Sequence, residues 1–326
     1  MHKFQRIGSL CVVSCALLSA TAGAEVTGKD LVDALNGIFG QHAGKRAAHA
    51  KGTCAAGAFQ ATSDAPQLSK APHFAGASVP VTIRFSMGGG NPAIPDKTNT
   101  TRGMAIRFAL PDDEITDLVT ISAPVFFART PEDALQFLTV RKSDPATGKP
   151  DPAKVEEFSK AHPETLLQGE WLEAHPVPNS YLTTPYFGVN AFKFTNDNGQ
   201  SAYGRWQIEP VGGVVGLSDE EIKTVSDDFL TDDLGKRLAG GPSDFDLYVQ
   251  IAAEGDPISD PTAMWPDTRQ RVHVGKLSVT KATGQECDGI MFSPIALPDG
   301  IEPSDDPILG IRSAAYAESF VRRLQK

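Results

Sequence analysis

Val79-Pro80-Val81-Thr82-Ile83-Arg84-Phe85-Ser86 alternates residue by residue. Val79, Val81, Ile83 and Phe85 fall on one face of an extended chain and Thr82, Arg84 and Ser86 on the other, the two-residue period of a half-buried strand. The second face carries an arginine two residues from a serine, which is either a solvated outer surface or part of a site. Strand-like runs recur at 103–110, 117–119, 124–128, 190–195, 203–208, 247–251 and 272–279. Some eight strands joined by turns and excursions predict an α+β fold, a closed eight-stranded antiparallel β-barrel decorated with helices.

Helical signals lie between and around these runs. Thr27 reads as an N-cap before Leu31, Leu35, Ile38 and Phe39 at helical spacing. Thr130-Pro131-Glu132-Asp133 is a second start, and 152–161 a short polar helix inside a Pro- and charge-rich excursion over 148–184. Ser218-Asp219-Glu220-Glu221 has capping-box form, with Ile222, Val225, Phe229, Leu234 and Leu238 as one apolar stripe. Gly88-Gly89-Gly90 lacks the Lys-Ser/Thr ending of a phosphate loop and reads as a turn. A last helix starts near Pro307. It sets Arg312, Tyr316 and Arg323 on one face, with Phe320 and Leu324 placed to pack.

Composition narrows the partners. The chain is 40% hydrophobic and 21% charged, ordinary for a globular protein. A formal charge of −10 disfavours nucleic acid and anionic membranes. His2, Lys3 and Arg6 precede an apolar run over 7–18 and then Ala22-Gly23-Ala24, the pattern of a secretory signal peptide over 1–24. That run is too short to span a bilayer and no later one is long enough, so residues 25–326 are expected as one exported, periplasmic domain without stable membrane insertion. Removing the leader leaves Cys54 and Cys287, which form a disulfide or remain two buried thiols; neither has a close Cys or His to make a zinc site.

Arg46-Ala47-Ala48-His49-Ala50-Lys51-Gly52, followed by Gly57-Ala58-Phe59, sets a single histidine among small residues one turn after an arginine. Read in order with Val81–Ser86, Arg102-Gly103-Met104-Ala105-Ile106-Arg107-Phe108, Asp117-Leu118-Val119, Pro124-Val125-Phe126-Phe127-Ala128-Arg129, Phe192-Lys193-Phe194-Thr195-Asn196, Trp265-Pro266, Val274-Gly275-Lys276-Leu277 and Arg312-Ser313-Ala314-Ala315-Tyr316, this stretch resembles the haem catalase family over nearly the whole mature chain. The likeness is to a core-only, exported, catalase-related peroxidase, because the long N-terminal arm, wrapping region and C-terminal helical domain of typical catalases have no counterpart here. Two positions depart. The family's distal asparagine lies in Asp-Leu-Val-Gly-Asn-Asn-Thr-Pro, where this chain reads Asp117-Leu118-Val119-Thr120-Ile121-Ser122-Ala123-Pro124. A histidine of many catalases is replaced by Asn190.

The resemblance implies haem b, with Tyr316 as the iron ligand and Arg312 helping to keep its phenol ionised against an ordinary pKa of about 10. It makes His49 the proton carrier above the opposite face, oriented by Ser86. Arg46, Arg84 and Arg323 become candidates for the haem propionates. Phe126, Phe127 and Phe137 line the pocket or pack the core. Without an amide to place a second peroxide, the expected activity is peroxidase, reducing hydrogen peroxide with an external donor, with weak oxygen release. A fatty-acid hydroperoxide isomerase on the same core and a non-enzymatic haem carrier are the alternatives. Loss of the arm removes the usual tetramer contacts, which suggests a monomer or homodimer.

Overall fold

The structure is a computed structural model that describes residues 25–325; the leader at 1–24 lies outside the described residues. The strands are β1 (Gly52–Ala61), β2 (Val79–Met87), β3 (Arg102–Ala109), β4 (Ile115–Ile121), β5 (Tyr186–Phe187), β6 (Phe192–Thr195), β7 (Ser201–Pro210), β8 (Ser243–Ile251), β9 (Arg271–Gly284) and β10 (Ile301–Pro303). The helices are α1 (Gly28–Phe39), α2 (Ala65–Leu68), α3 (Pro131–Val140), α4 (Pro152–Ala161), α5 (Leu167–Glu173), α6 (Glu221–Thr224), α7 (Phe229–Ala239) and α8 (Pro307–Leu324).

All strand pairs are antiparallel, and the order runs β7-β5-β4-β3-β2-β1-β9-β8 with β8 pairing back to β7. That closes an eight-stranded barrel and leaves β6 and β10 as an extension along one end of β7. The count of eight is right but its membership differs. Residues 124–128 are not a strand, because β4 has ended at Ile121 and the segment bends to pack Phe126 and Phe127 against helices. The expected strand at 190–195 is β6, in the extension rather than the barrel, and β1 and β5 take the two vacated places; the Gly and Ala residues of β1 hide its alternation, and Gly57 lies so close to the Ser278 carbonyl that a Cβ would sit 2.2 Å from it.

The β2 register sorts the two faces. Ala55, Ile83, Ile106 and Leu118 stand side by side toward the packed interior. Gly52, Ser86, Gly103 and Ile121 form one rung of the outer face, and Cys54, Arg84, Ala105 and Val119 the next. Outside these rungs lie α1, α3 and α8. Gly28 of α1 meets the α8 backbone at Ala314 so closely that a Cβ there would come within 2.4 Å.

Thr27 caps α1 in a capping box with Asp30, and Thr130 caps α3. The expected stripe after Ser218 breaks at Val225, which is extended, so α6 and α7 are separate helices. The buried positions are Leu230, Leu234 and Leu238, one register away from the predicted Phe229 and Ile222. Leu324 is exposed rather than packed.

Cys54 and Cys287 form a disulfide across 233 residues of sequence, buried under Phe292. It clips the segment after β9 onto β1. Replacing both cysteines with serine should cost about 2–4 kcal/mol and lower the thermal midpoint; an unchanged midpoint by calorimetry would show the clip to be dispensable.

Candidate active site

The site lies on the outer face of the barrel, where the first and last parts of the described chain meet. His49 adopts φ 54, a left-handed conformation that non-glycine residues avoid. The flanking groups hold it there. Ala47 N–H donates to Ser319 Oγ on α8 at 3.1 Å, and Ala50 N–H to the Gly89 carbonyl. Lys51 Nζ reaches Asp96 and Asp228 at 2.8 Å each, and also donates to the Ile94 and Asp227 carbonyls.

With the backbone fixed, the imidazole Nδ1 stands 3.0 Å from Ser86 Oγ. Gly103 makes room for that pair: a Cβ there would lie 2.6 Å from Ser86 Oγ and 2.9 Å from His49 Nδ1. The pKa of His49 is pushed down to about 4, first by desolvation and then by the charges of Arg84, Arg312 and Arg46. The ring is therefore neutral across the physiological range.

Arg46, Arg84 and Arg323 converge beside it. Arg46 pairs with Asp288 at 3.4 Å and Arg84 with the same carboxylate at 3.6 Å. Arg46 and Arg323 both donate to the Ile290 carbonyl, at 2.8 and 2.9 Å. Burial, then repulsion from Arg84 and Arg323, works against the Arg46 charge, although a guanidinium stays protonated. The disulfide anchors Asp288 and Ile290 at this spot, since Cys287 immediately precedes them.

On α8, Arg312 donates to the Tyr316 phenol oxygen at 2.8 Å and also to Asn190 Oδ1. Asn190 passes its own N–H to Asp306 at 2.6 Å. Asp306 caps α8 by accepting from Ile308 and Leu309, and burial raises its pKa. The sequence pointed to Arg312 and Tyr316 but not to Asp306, whose only signal was its place just before Pro307.

Seven of the eight candidates thus form two linked constellations: His49, Ser86, Arg46, Arg84 and Arg323 in one, and Arg312 with Tyr316 in the other. Phe126 packs against Phe127 with ring centroids 4.3 Å apart, and Phe127 against Phe137 at 4.7 Å, both pairs tilted. Phe126 and Phe127 join the cluster that packs Ile311 and Ala315, the residue before Tyr316. Ile121 shares the outer rung with Ser86 and Gly103, so an apolar side chain faces the imidazole's side of the sheet. Ser122 turns away and accepts from Arg102 N–H at 2.8 Å. Reading the rung required the strand register, which the sequence does not print.

Comparison with known proteins agrees with this geometry. The family model described as Catalase matches residues 26–326. A catalase-related peroxidase of Synechococcus elongatus is 40% identical over 93% of this chain and 91% of its own, and one of Mycolicibacterium paratuberculosis is 39% identical over 91% and 95%. A crystal structure of a fungal catalase superposes with a TM-score of 0.78 at 25% identity, covering 87% of this chain and 60% of that one.

The residues fit a haem. Arg46 and Arg84 both pair with Asp288, Arg323 donates to the Ile290 carbonyl and has no ion pair among the described residues, and buried Arg84 Nε has no hydrogen-bond partner. Two carboxylates from outside the chain would satisfy that excess. A phenol oxygen already supported by a guanidinium suits a hard ferric ion.

Burial decides how the site titrates. In the ligand-free protein, NMR titration of His49 should show a neutral ring until the pH nears about 4. The lowered pKa makes the unfolded chain bind the proton first, so this group's contribution to stability is full above 6.5 and declines as the pH falls from 6.5 toward about 4. A midpoint near 6.5 would contradict the site's electrostatics.

Proposed function

The chain belongs to the catalase family, and from that membership we propose that it is an exported haem b peroxidase, reducing hydrogen peroxide with electrons from an external donor and releasing little oxygen. The carrying observation is the outer rung: a neutral imidazole oriented by Ser86, with Ile121 on the same side where typical family members have an amide.

Tyr316 would hold the iron, and Arg46, Arg84 and Arg323 the two propionates. Bound there, haem iron supplies the two-electron reduction of the peroxide O–O bond. His49 would accept one proton from the peroxide and deliver it to the departing oxygen, ending as neutral as it began. Its low pKa keeps it in the accepting form, and Ser86 holds Nδ1 so that Nε2 does the transfer. Arg312 favours the ionised phenol because a charged acceptor bonds a guanidinium more strongly than a neutral one. Ile121 offers no hydrogen bond to a second peroxide, which slows the oxygen-forming half of a catalase cycle and leaves reduction to outside donors.

The Cys54–Cys287 bond supports an oxidising compartment, in line with the signal-peptide pattern at 1–24 and a periplasmic address. Among the described residues no helix is long and apolar enough to cross a membrane. A monomer or homodimer is the assembly we propose. A peroxidase, rather than a haem carrier, is favoured by His49 itself: a carrier has no use for a strained, neutral base.

Two outcomes test this reading. Tyr316→Phe should abolish the ferric-phenolate absorption spectrum while the fold persists by circular dichroism; an unchanged spectrum would remove Tyr316 as ligand. With a Clark electrode, the wild-type holoenzyme should release oxygen far more slowly than it oxidises a phenolic donor, and Ile121→Asn should raise oxygen release by about tenfold, roughly the 1.4 kcal/mol of one hydrogen bond. Vigorous oxygen release by the wild type would overturn the peroxidase assignment.

A further inference from the structure

Behind the outer rung lies a cleft with no role in the chemistry above. It opens to solvent and is lined by Trp171, His175, Arg102, Pro176, Pro185 and Val214, among others. Its lining residues Arg102 and Ser122 adjoin in sequence the strand residues on the histidine's side. Ser122 N–H donates to the Arg102 carbonyl at 2.8 Å, and Arg102 N–H returns to Ser122 Oγ. The next residues in the chain, Gly103 and Ile121, are the ones that face His49 and Ser86.

Trp171 joins the cleft to this pair. Its indole N–H donates to the Ser122 carbonyl at 3.2 Å. His175 stacks on it at 4.0 Å and 25°, and Phe187 meets it edge-on at 5.9 Å. Trp206 and Trp265 are buried at 5% and 3%, whereas Trp171 is half-buried and lines the cleft. Arg102, 1% exposed, gives its terminal nitrogens to the Thr98, Thr100 and Asp96 carbonyls, and its Nε has no partner. An aromatic platform, rigid proline walls and an unsatisfied buried N–H together describe a site for a small aromatic molecule carrying an oxygen acceptor.

We propose that this cleft is where the reducing substrate docks, that this substrate is a small electron-rich phenol, and that Trp171 is the aromatic group through which its electron leaves. The proposal rests on the peroxidase reading. Each phenol gives up one electron and the proton of its O–H bond. Two phenols and one hydrogen peroxide yield two phenoxyl radicals and two waters, the O–O bond being the one that breaks. Trp171 lies between donor and Ser122, so the electron crosses one stacked contact and the indole–Ser122 hydrogen bond before the rung that carries Ile121.

The test uses guaiacol with the haem-loaded protein. Binding is read without peroxide by saturation-transfer NMR, and turnover by steady-state oxidation. Val214 is 64% exposed, so Val214→Trp should fold while filling the cleft. It should remove the saturable guaiacol signal and raise the guaiacol KM at least tenfold. Trp171→Phe should keep the aromatic platform and lower kcat for guaiacol at least tenfold with a smaller change in KM. Val211→Trp, on an exposed turn outside the cleft lining, should leave both constants within twofold. Wild-type kinetics in both Val214→Trp and Trp171→Phe would overturn the donor site and leave the peroxidase reading intact. A wild type that releases oxygen from peroxide and oxidises no guaiacol would overturn the reading itself.

Discussion

The barrel is filled. Phe59, Ile83, Phe85, Met104, Ile106, Phe108, Phe245 and Leu277 are each 2% exposed or less, so its interior has no room for a flat cofactor. Every functional group must then stand on the outer face of β1 to β4 or on segments draped over it. That explains the odd polar side of β2. Arg84 and Ser86 point away from the interior, as an alternating strand requires, yet both are 4% exposed because other chain covers them. The cover is assembled from distant places: the His49 loop, α8, and the segment after the disulfide. None of these can form the site alone, and their contacts, such as Ala47 with Ser319 and Arg323 with Ile290, are what bring the two ends together.

Such a site is costly to hold in readiness. Three guanidiniums converge on one carboxylate that pairs with only two of them, and a left-handed histidine stores on the order of 1–3 kcal/mol. The compensations lie just outside the chemistry. Lys51 is gripped by two carboxylates and two carbonyls, which fixes the backbone two residues beyond His49. Asp96, one of those carboxylates, also accepts from Leu230 N–H at the start of α7, so the core helix and the histidine loop share an anchor. The excess positive charge is the opposite case: on the proposed haem reading a bound dianion would satisfy it, so that binding and folding of this face would reinforce each other.

The strands with β-branched and aromatic alternation were legible, and so were the caps at Thr27 and Thr130, because both signals are local. β1 was not, since its glycines and alanines answer to the close approach of β9 rather than to a hydrophobic period. Residues 124–128 misled for the converse reason: an apolar run serves helix packing as well as a strand. Tyr316, Arg312 and His49 could be named from the resemblance. Asp306, Asp288 and the Ile290 carbonyl could not, because their roles depend on partners more than 100 residues away, as Asn190 and Asp306 illustrate at a separation of 116.

Asn190 and Ile121 show how this chain has redistributed polarity around one cofactor site. Below, Arg312 can only donate and an ionised Asp306 can only accept, so the amide between them has one possible orientation, Oδ1 toward the arginine and Nδ2 toward the aspartate. An imidazole in that place could titrate and reverse its bonds; an amide cannot. The amide keeps that orientation as long as Asp306 is ionised, and the amino end of α8 favours that form although burial raises its pKa. Above, Ile121 removes an amide from the side where peroxide reacts. The ligand side thus carries a hydrogen-bonded relay through an amide that does not itself titrate, and the reacting side carries one neutral base without a second polar anchor. On the function proposed above, that asymmetry would favour one peroxide per cycle and leave the return of electrons to a molecule that need not enter the distal space at all.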